Sequence, residues 1–141
     1  MSIIDPPLAA GTARRLDQVG RGLLALLALS TVYAFIDGCR LVAAAGDDRL
    51  WVEFWRTTAY LVFAGLFAML AVAPRTRWGV WELVFAQKLA VTVFGLANFG
   101  VNEARRDATT DLFLVIVMAI SYVLCRGWYT WRSPAAVPEQ R

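Results

Sequence analysis

Four long apolar segments, separated by short polar stretches, constrain the fold of this chain more than any other feature. They cover residues 23–45, 51–73, 78–101 and 112–131. Each has about the 20 residues that an α-helix needs to cross the roughly 30 Å hydrocarbon core of a bilayer. A segment in lipid must satisfy its own backbone hydrogen bonds, so we expect all four to be helical. The sequence therefore predicts an all-α membrane protein, a four-transmembrane-helix bundle in direct contact with the lipid bilayer.

The polar stretches at the two ends of the chain mark the predicted domain boundaries. Residues 1–15 contain prolines and no apolar run, which predicts a flexible N-terminal segment and not a signal peptide. The four-helix transmembrane domain is predicted over residues 16–132. Residues 133–141 are rich in proline and alanine and are expected to form a disordered C-terminal tail.

Two internal features are expected to delimit the helices. Pro74 should end the second helix, because proline cannot continue the helical hydrogen-bond pattern. Residues 102–111 are mostly polar or charged and are expected to form a loop. Within this loop, the side chain of Thr109, Thr110 or Asp111 could cap the start of the fourth helix.

The arginines are divided unequally between the two predicted faces of the membrane. Eight lie on the side that holds both chain ends, and five lie on the other side beside seven acidic residues. Cytoplasmic loops of membrane proteins carry the excess of basic residues. The sequence thus predicts a multi-pass protein of the cell membrane with both termini in the cytoplasm. The six tryptophans fall at the ends of the segments, which is typical of an aromatic belt at the membrane interface.

The absence of histidine narrows the chemistry that this chain can perform. It argues against haem, non-haem iron and zinc sites with histidine ligands, and against a histidine general base. Cys39 and Cys125 lie far apart, so there is no CxxC redox pair and both are expected to be free thiols. The basic residues do not cluster with aromatic residues, which argues against nucleic-acid binding. The residues therefore predict no metal and no cofactor.

Asp37 and Lys88 are the leading candidates for catalysis, because ionisable side chains within a membrane span are costly and often functional. Lys88 lies about ten residues from either end of its segment, near the membrane midplane. Asp37 lies an estimated ~5 Å outside the midplane, within reach of the lysine stem. The two are predicted to form a catalytic acid–base pair. Arg40, one turn along the same helix, is the rival partner for Asp37.

Polar side chains recur at intervals of three or four residues on the predicted helices, which places them on common faces. These faces are expected to converge on a polar pocket that opens toward the outside of the cell. The alternative is purely structural, with the polar groups joining helices by hydrogen bonds. A second, structural ion pair is expected between Glu82 and Arg126. The predicted substrate-binding residues are Tyr33, Arg40, Glu53, Arg56, Tyr60, Thr92, Asn98 and Tyr122.

Over residues 16–131 the architecture resembles the DoxX-like membrane proteins, which are compact four-helix proteins of about this length with both termini inside. That resemblance implies an accessory subunit of a membrane redox complex that acts with quinone. Asp37 and the stretch Trp81-Glu82-Leu83-Val84-Phe85 are also similar to the acidic sites of the EXPERA group, which includes sterol isomerases. This second resemblance implies a cationic or carbocation-like ligand, although the histidine of that group is missing here.

Three functions are compatible with these features. The first is the binding of a lipophilic small molecule, with acid–base catalysis of an isomerisation, cyclisation or epoxide opening by Asp37 and Lys88. The second is that of a DoxX-like accessory subunit, which would associate stably with a partner membrane subunit. The third is that of a small transporter working as a homodimer, with Asp37 or Lys88 binding the coupled ion. These alternatives leave open whether the protein is an enzyme.

Overall fold

The computed structural model describes residues 10–131, and this part of the chain is helical with no β-strand. Four of its helices are long and apolar enough to cross a membrane, which confirms the all-α prediction with four candidate spans. Residues 10–15 of the predicted flexible segment belong to the first helix, whereas residues 1–9 and the predicted tail lie outside the described residues. The elements are α1 (Ala10–Ala44), α2 (Asp47–Val72), α3 (Val80–Ala97), α4 (Asn102–Leu124) and a short 3-10 helix (Gly127–Trp131).

The start of α1 and the end of α4 lie at the same end of the bundle. At this end the Cys125 thiol lies 3.7 Å from the carbonyl oxygen of Asp17. We call it the terminal end. The opposite, distal end holds the α1–α2 turn at residues 45–46 and the α3–α4 turn at residues 98–101. The predicted placement of the terminal end in the cytoplasm stays a prediction.

Helix α4 begins at Asn102, so the predicted polar loop over residues 102–111 is wrong. The charged residues of this stretch suit a helix surface, and Glu103 in the first turn interacts favourably with the helix dipole. The expected capping role of Thr109, Thr110 or Asp111 is also wrong, because the residue before the helix is Val101. The two threonine hydroxyls instead donate to backbone carbonyls one turn earlier.

Helix α2 ends at Val72, and Pro74 follows two residues later, as predicted. The carbonyls that this helix end leaves unpaired need other donors. Arg21 of α1 supplies them, donating to the carbonyl oxygens of Val72 at 2.6 Å and Ala71 at 3.3 Å. The indole of Trp81 donates to the carbonyl oxygen of Pro74 at 2.8 Å. Trp81 is fully buried, so it does not belong to the expected interfacial belt, whereas the other five tryptophans are exposed.

Two glycines allow neighbouring helices to approach closely. A Cβ atom on Gly38 of α1 would lie 2.5 Å from the hydroxyl of Thr57 on α2. A Cβ atom on Gly95 of α3 would lie 2.6 Å from the Cβ of Ala108 on α4. Small residues at helix interfaces are the usual way to bring membrane helices into contact. The bundle is thus built from two close hairpins, α1–α2 and α3–α4, which meet mainly through α1 and α4.

The apolar core and the buried charges occupy different halves of the bundle. The terminal half holds the cluster of buried apolar side chains, whereas buried Glu53, Lys88 and Asp111 lie in the middle and distal parts. Apolar packing therefore closes the terminal half of the bundle, and the buried charges lie between this core and the distal end. The buried core residues are Leu24, Leu27, Phe67, Leu70, Trp81, Val84, Met118 and Cys125.

Candidate functional site

The most distinctive side-chain contact is an ion pair between Lys88 of α3 and Asp111 of α4. Lys88 is the ninth of the 18 residues of α3, so it lies at the middle of that helix. Its Nζ donates to Asp111 Oδ1 at 2.8 Å, and both residues are only 7% exposed. The same ammonium lies 4.4 Å from the centre of the Phe63 ring on α2, at a distance typical of a cation–π contact. A full positive charge is therefore held between one carboxylate and one aromatic face.

The predicted pairing of Lys88 with Asp37 is wrong. Asp37 lies on α1 with its side chain 48% exposed, and its nearest ionic partner is Arg40 at 3.9 Å. The physical reason is the early start of α4, which places Asp111 about 14 Å along that helix instead of in a loop. Asp111 thereby reaches the depth of Lys88, and the two close-packed helices bring the side chains together. Of the two partners considered for Asp37, the structure has Arg40.

The acidic residues of α4 form a stripe that leads from Asp111 to the distal end. Glu103, Asp107 and Asp111 follow one another at intervals of four residues, so they lie on one face of the helix. The loop expected from the sequence concealed this stripe, although the four-residue spacing is visible once the segment is taken as helical. Asp111, at its inner end, is the functional candidate that the sequence analysis missed.

Arginines of α2 lie opposite this acidic stripe. Arg49 donates to Glu103 at 2.6 Å and to Glu53 at 2.9 Å. Arg56 donates to both carboxylate oxygens of Glu53 at 2.6 Å and lies 3.9 Å from Asp107. The Glu53 carboxylate, almost fully buried, is thus shared between two guanidinium groups. We call these five residues, Arg49, Glu53, Arg56, Glu103 and Asp107, the charged ladder.

Tyr60 and Thr92 are the other predicted binding residues near the ion pair. Tyr60 follows Arg56 by one helical turn and is half-buried. Thr92 is buried, and its hydroxyl donates to the backbone carbonyl of Lys88 at 2.8 Å. With Glu53 and Arg56, four of the eight predicted binding residues therefore lie in the ladder or beside the Lys88–Asp111 pair.

The remaining predicted binding residues do not join this site. Tyr33 is 70% exposed on the outer surface of α1, and Arg40 is also exposed. Asn98 is exposed just after the end of α3 and donates to the carbonyl oxygen of Phe94 in the last turn of that helix. Tyr122 lies in the terminal half, where its ring packs edge-on against Trp81. The predicted convergence of all these side chains on one pocket is therefore not what the structure has.

The expected structural pair of Glu82 and Arg126 is not formed. Glu82 Oε1 accepts a hydrogen bond from the indole of Trp131 at 2.7 Å. Within residues 10–131, Arg126 forms no ion pair within 4.0 Å; its side chain lines a cleft at the terminal end. The position of Trp131, which follows the turn after α4, explains why Glu82 finds a neutral donor instead.

The cysteines are free and well separated, as predicted. Cys39 is exposed on α1, and Cys125 is buried just after the end of α4. Burial, reinforced by the nearby Asp17 carboxylate, raises the pKa of the Cys125 thiol to about 11. In the part of the chain that the structure describes, no three His, Cys, Asp or Glu side chains are grouped so that they could hold a metal ion.

The chain matches no family model, and no curated protein or solved structure is significantly similar to it. The likeness to DoxX-like and EXPERA proteins accordingly stays a prediction. The charged groups within the four-helix bundle are therefore the features from which a function can be inferred.

Proposed function

We propose that this protein is a multi-pass membrane protein that binds a lipophilic small molecule at Lys88 and Asp111, where the pair acts as an acid–base site. The supporting observation is the buried 2.8 Å contact between the two side chains at the centre of an apolar bundle. Well-packed apolar residues would hold two helices together at least as well as a buried ion pair. An ion pair at this depth is therefore better explained by a role in function than by a contribution to the stability of the bundle.

The charged ladder supports proton exchange between the distal end and Asp111. Arginine keeps its proton under all ordinary conditions, so Arg49 and Arg56 hold the carboxylates in position. The carboxylates of Glu103, Glu53 and Asp107 mark the proposed route from the distal end toward Asp111. The apolar core closes the opposite half, so the proposed proton route opens at one end only. One-sided access suits acid–base chemistry on a bound molecule better than transport across the membrane.

The contact between α2 and α3 offers a lateral route from the bilayer. It is the least extensive of the contacts between neighbouring helices. Phe63 of α2 and Lys88 of α3 meet across it, so a molecule that entered between these helices would reach the ammonium group first. Lys88 would donate a hydrogen bond to an oxygen of the ligand, and Asp111 would accept or return a proton. An apolar molecule with a ketone, enol or quinone oxygen fits this chemistry.

A photoreactive long-chain alkyl benzophenone tests the proposal, because its carbonyl oxygen is an acceptor for Lys88 and its ketone labels nearby C–H bonds. The full chain is reconstituted in lipid nanodiscs, irradiated and mapped by peptide mass spectrometry. We expect labelling concentrated on α2 and α3 around Phe63 and Lys88, and competition by a quinone. Labelling spread evenly over the lipid-facing surfaces of all four helices would contradict the proposal.

The variants for this experiment separate folding from binding. The double variant Lys88→Met/Asp111→Asn removes both charges and leaves neither partner alone, so it should fold. We expect it to lose the concentrated labelling. Asp37→Asn is the matched control. Asp37 is also a carboxylate within a candidate membrane-spanning helix, but it lies half-exposed beside Arg40. It should label like the wild-type protein.

A further inference from the structure

A basic cleft of about 480 Å³ opens at the terminal end of the bundle, away from the Lys88–Asp111 pair. Three separate parts of the chain each contribute an arginine to it: Arg14 from α1, Arg75 from the α2–α3 turn and Arg126 from the turn after α4. Asp17 is the only acidic residue among its described lining residues. The cleft therefore carries a clear excess of positive charge.

Asp17 does not neutralise all three arginines. Its carboxylate pairs with Arg21 at 2.8 Å and with Arg75. Within the described range, neither Arg14 nor Arg126 forms an ion pair or a side-chain hydrogen bond. Asp17 thus fixes the position of Arg75, and two guanidinium groups that line the cleft have their donors available.

The backbone at Arg126 gives independent support for a role of its side chain. Arg126 has a φ of 55°, the left-handed conformation that follows many helix ends and is usually taken by glycine there. A side chain at this position carries a conformational cost. The chain does have a glycine at the next position, Gly127, where a Cβ atom would lie 2.2 Å from the Tyr122 ring. An arginine is therefore placed where the backbone alone would favour glycine.

The carbonyl ends of α2 and α4 also lie at the terminal end and would repel an anion. Arginine side chains donate hydrogen bonds to carbonyl oxygens at both helix ends. Arg21 donates to the last carbonyls of α2, and Arg75 Nε donates to the carbonyl oxygen of Cys125 at 2.9 Å. With these carbonyls occupied, the cleft is suited to a negatively charged group.

We propose that this cleft binds the phosphate of an anionic phospholipid headgroup. Arginine guanidinium groups match phosphate oxygens in geometry and charge, and basic pockets between membrane helices are known to hold such headgroups. The exposed tryptophans Trp78, Trp128 and Trp131 belong to the same end, which places the cleft at the depth of the headgroups. Leu124 adds an apolar lining residue beside the arginines, where the glycerol and upper acyl chain would lie.

The experiment measures lipid binding by the full chain in nanodiscs of phosphatidylcholine with or without phosphatidylglycerol, followed by native mass spectrometry. We expect the wild-type protein to retain phosphatidylglycerol selectively. Arg14→Gln and Arg126→Gln should each weaken this retention on the order of tenfold, as for the loss of one charge-assisted hydrogen bond. Arg15→Gln is the matched control, since Arg15 has the same charge and neighbourhood in sequence but does not line the cleft. It should retain the lipid like the wild-type protein.

Two further arms make the outcome decisive. Arg126→Gly relieves the left-handed backbone and should fold at least as well as the wild-type protein, yet lose lipid selectivity. Inorganic phosphate and soluble glycerophosphoglycerol are added as competitors to distinguish a headgroup site from a site for free phosphate. Equal retention by the wild-type, Arg14→Gln and Arg126→Gln proteins would overturn the proposal, as would complete displacement of the lipid by millimolar inorganic phosphate.

Discussion

Lys88 Nζ lies 2.8 Å from Asp111 Oδ1, and this contact joins the middle of α3 to the inner end of the acidic stripe of α4. Both side chains are almost fully buried. Because both are buried, removal of either side chain would leave the charge of the other without compensation. Substitution of Lys88 and Asp111, singly and together, is therefore the most direct test of this contact.

The first prediction concerns the stability of this pair. Lys88→Met or Asp111→Asn alone should destabilise the bundle by about 3–5 kcal/mol, because each leaves one buried charge without compensation. The double variant should recover most of the loss. The free energy of unfolding is measured by circular dichroism in detergent for the wild-type protein, the two single variants and the double variant. Simple additivity of the two single effects would show that the residues do not interact.

A control for this cycle is available on α1. Asp37→Asn removes a carboxylate whose only near cation within residues 10–131 is Arg40, an exposed residue at 3.9 Å. Exposed pairs of this kind contribute roughly 0–1 kcal/mol. A large loss of stability in Asp37→Asn would contradict the difference in burial between the Asp37 and Asp111 carboxylates.

The four helices could be predicted from the sequence because hydrophobic length is a direct requirement of the bilayer. Of the two residues at the centre of the site, one could be predicted from the sequence. Lys88 stood out as a charge within an apolar segment, but its partner did not, because Asp111 belongs to a stretch polar enough to be taken for a loop. Hydropathy indicates which residues can lie in the hydrocarbon core, but a helix can begin well before the apolar segment. In the structure this stretch is helical and packs closely against α3 at Gly95 and Ala108, a contact that the hydropathy of the two segments does not reveal.

Helix α2 shows the opposite case. The predicted binding residues Glu53, Arg56 and Tyr60 follow one another at intervals of three or four residues, and they lie on one face because α2 begins within a few residues of its predicted start. On α1, the same reasoning failed for Tyr33, which points outward. Periodicity groups residues on a face, but the neighbouring helices decide which face is buried.

The second prediction concerns close packing at Gly95. Gly95→Ala places a Cβ atom within 2.6 Å of Ala108 Cβ and 2.7 Å of the Ala104 carbonyl oxygen. Since part of this obstacle is backbone, α3 and α4 must separate, and we expect a loss of about 1–3 kcal/mol. Gly65→Ala is the matched control, because a Cβ atom there meets nothing within 4 Å. It should be neutral or gain up to about 1 kcal/mol from helix propensity. Equal stabilities of the two variants in thermal unfolding would contradict the close approach.

The third prediction concerns the reactivity of the two thiols. In detergent, N-ethylmaleimide should modify Cys39 at pH 8 and leave Cys125 intact until the protein unfolds. Only the thiolate reacts, and with a pKa of about 11 the Cys125 thiol stays protonated at this pH and reacts only as the pH rises toward that value. Intact-mass analysis before and after denaturation counts the modified thiols. Modification of both cysteines at the same rate in the folded protein would show that Cys125 is not buried.

The last prediction concerns orientation in the membrane. The unequal distribution of arginines predicts that the terminal end faces the cytoplasm. In a variant without native cysteines, Asp48→Cys places a thiol at the distal end and Arg77→Cys places one at the terminal end. Both positions are exposed and lie at or beside helix starts, so they form a matched pair. A membrane-impermeant maleimide added to intact cells should label the cysteine at position 48 and not the one at position 77, and lysis should make both accessible. Labelling of position 77 alone in intact cells would reverse the topology, and the basic cleft would then face outward.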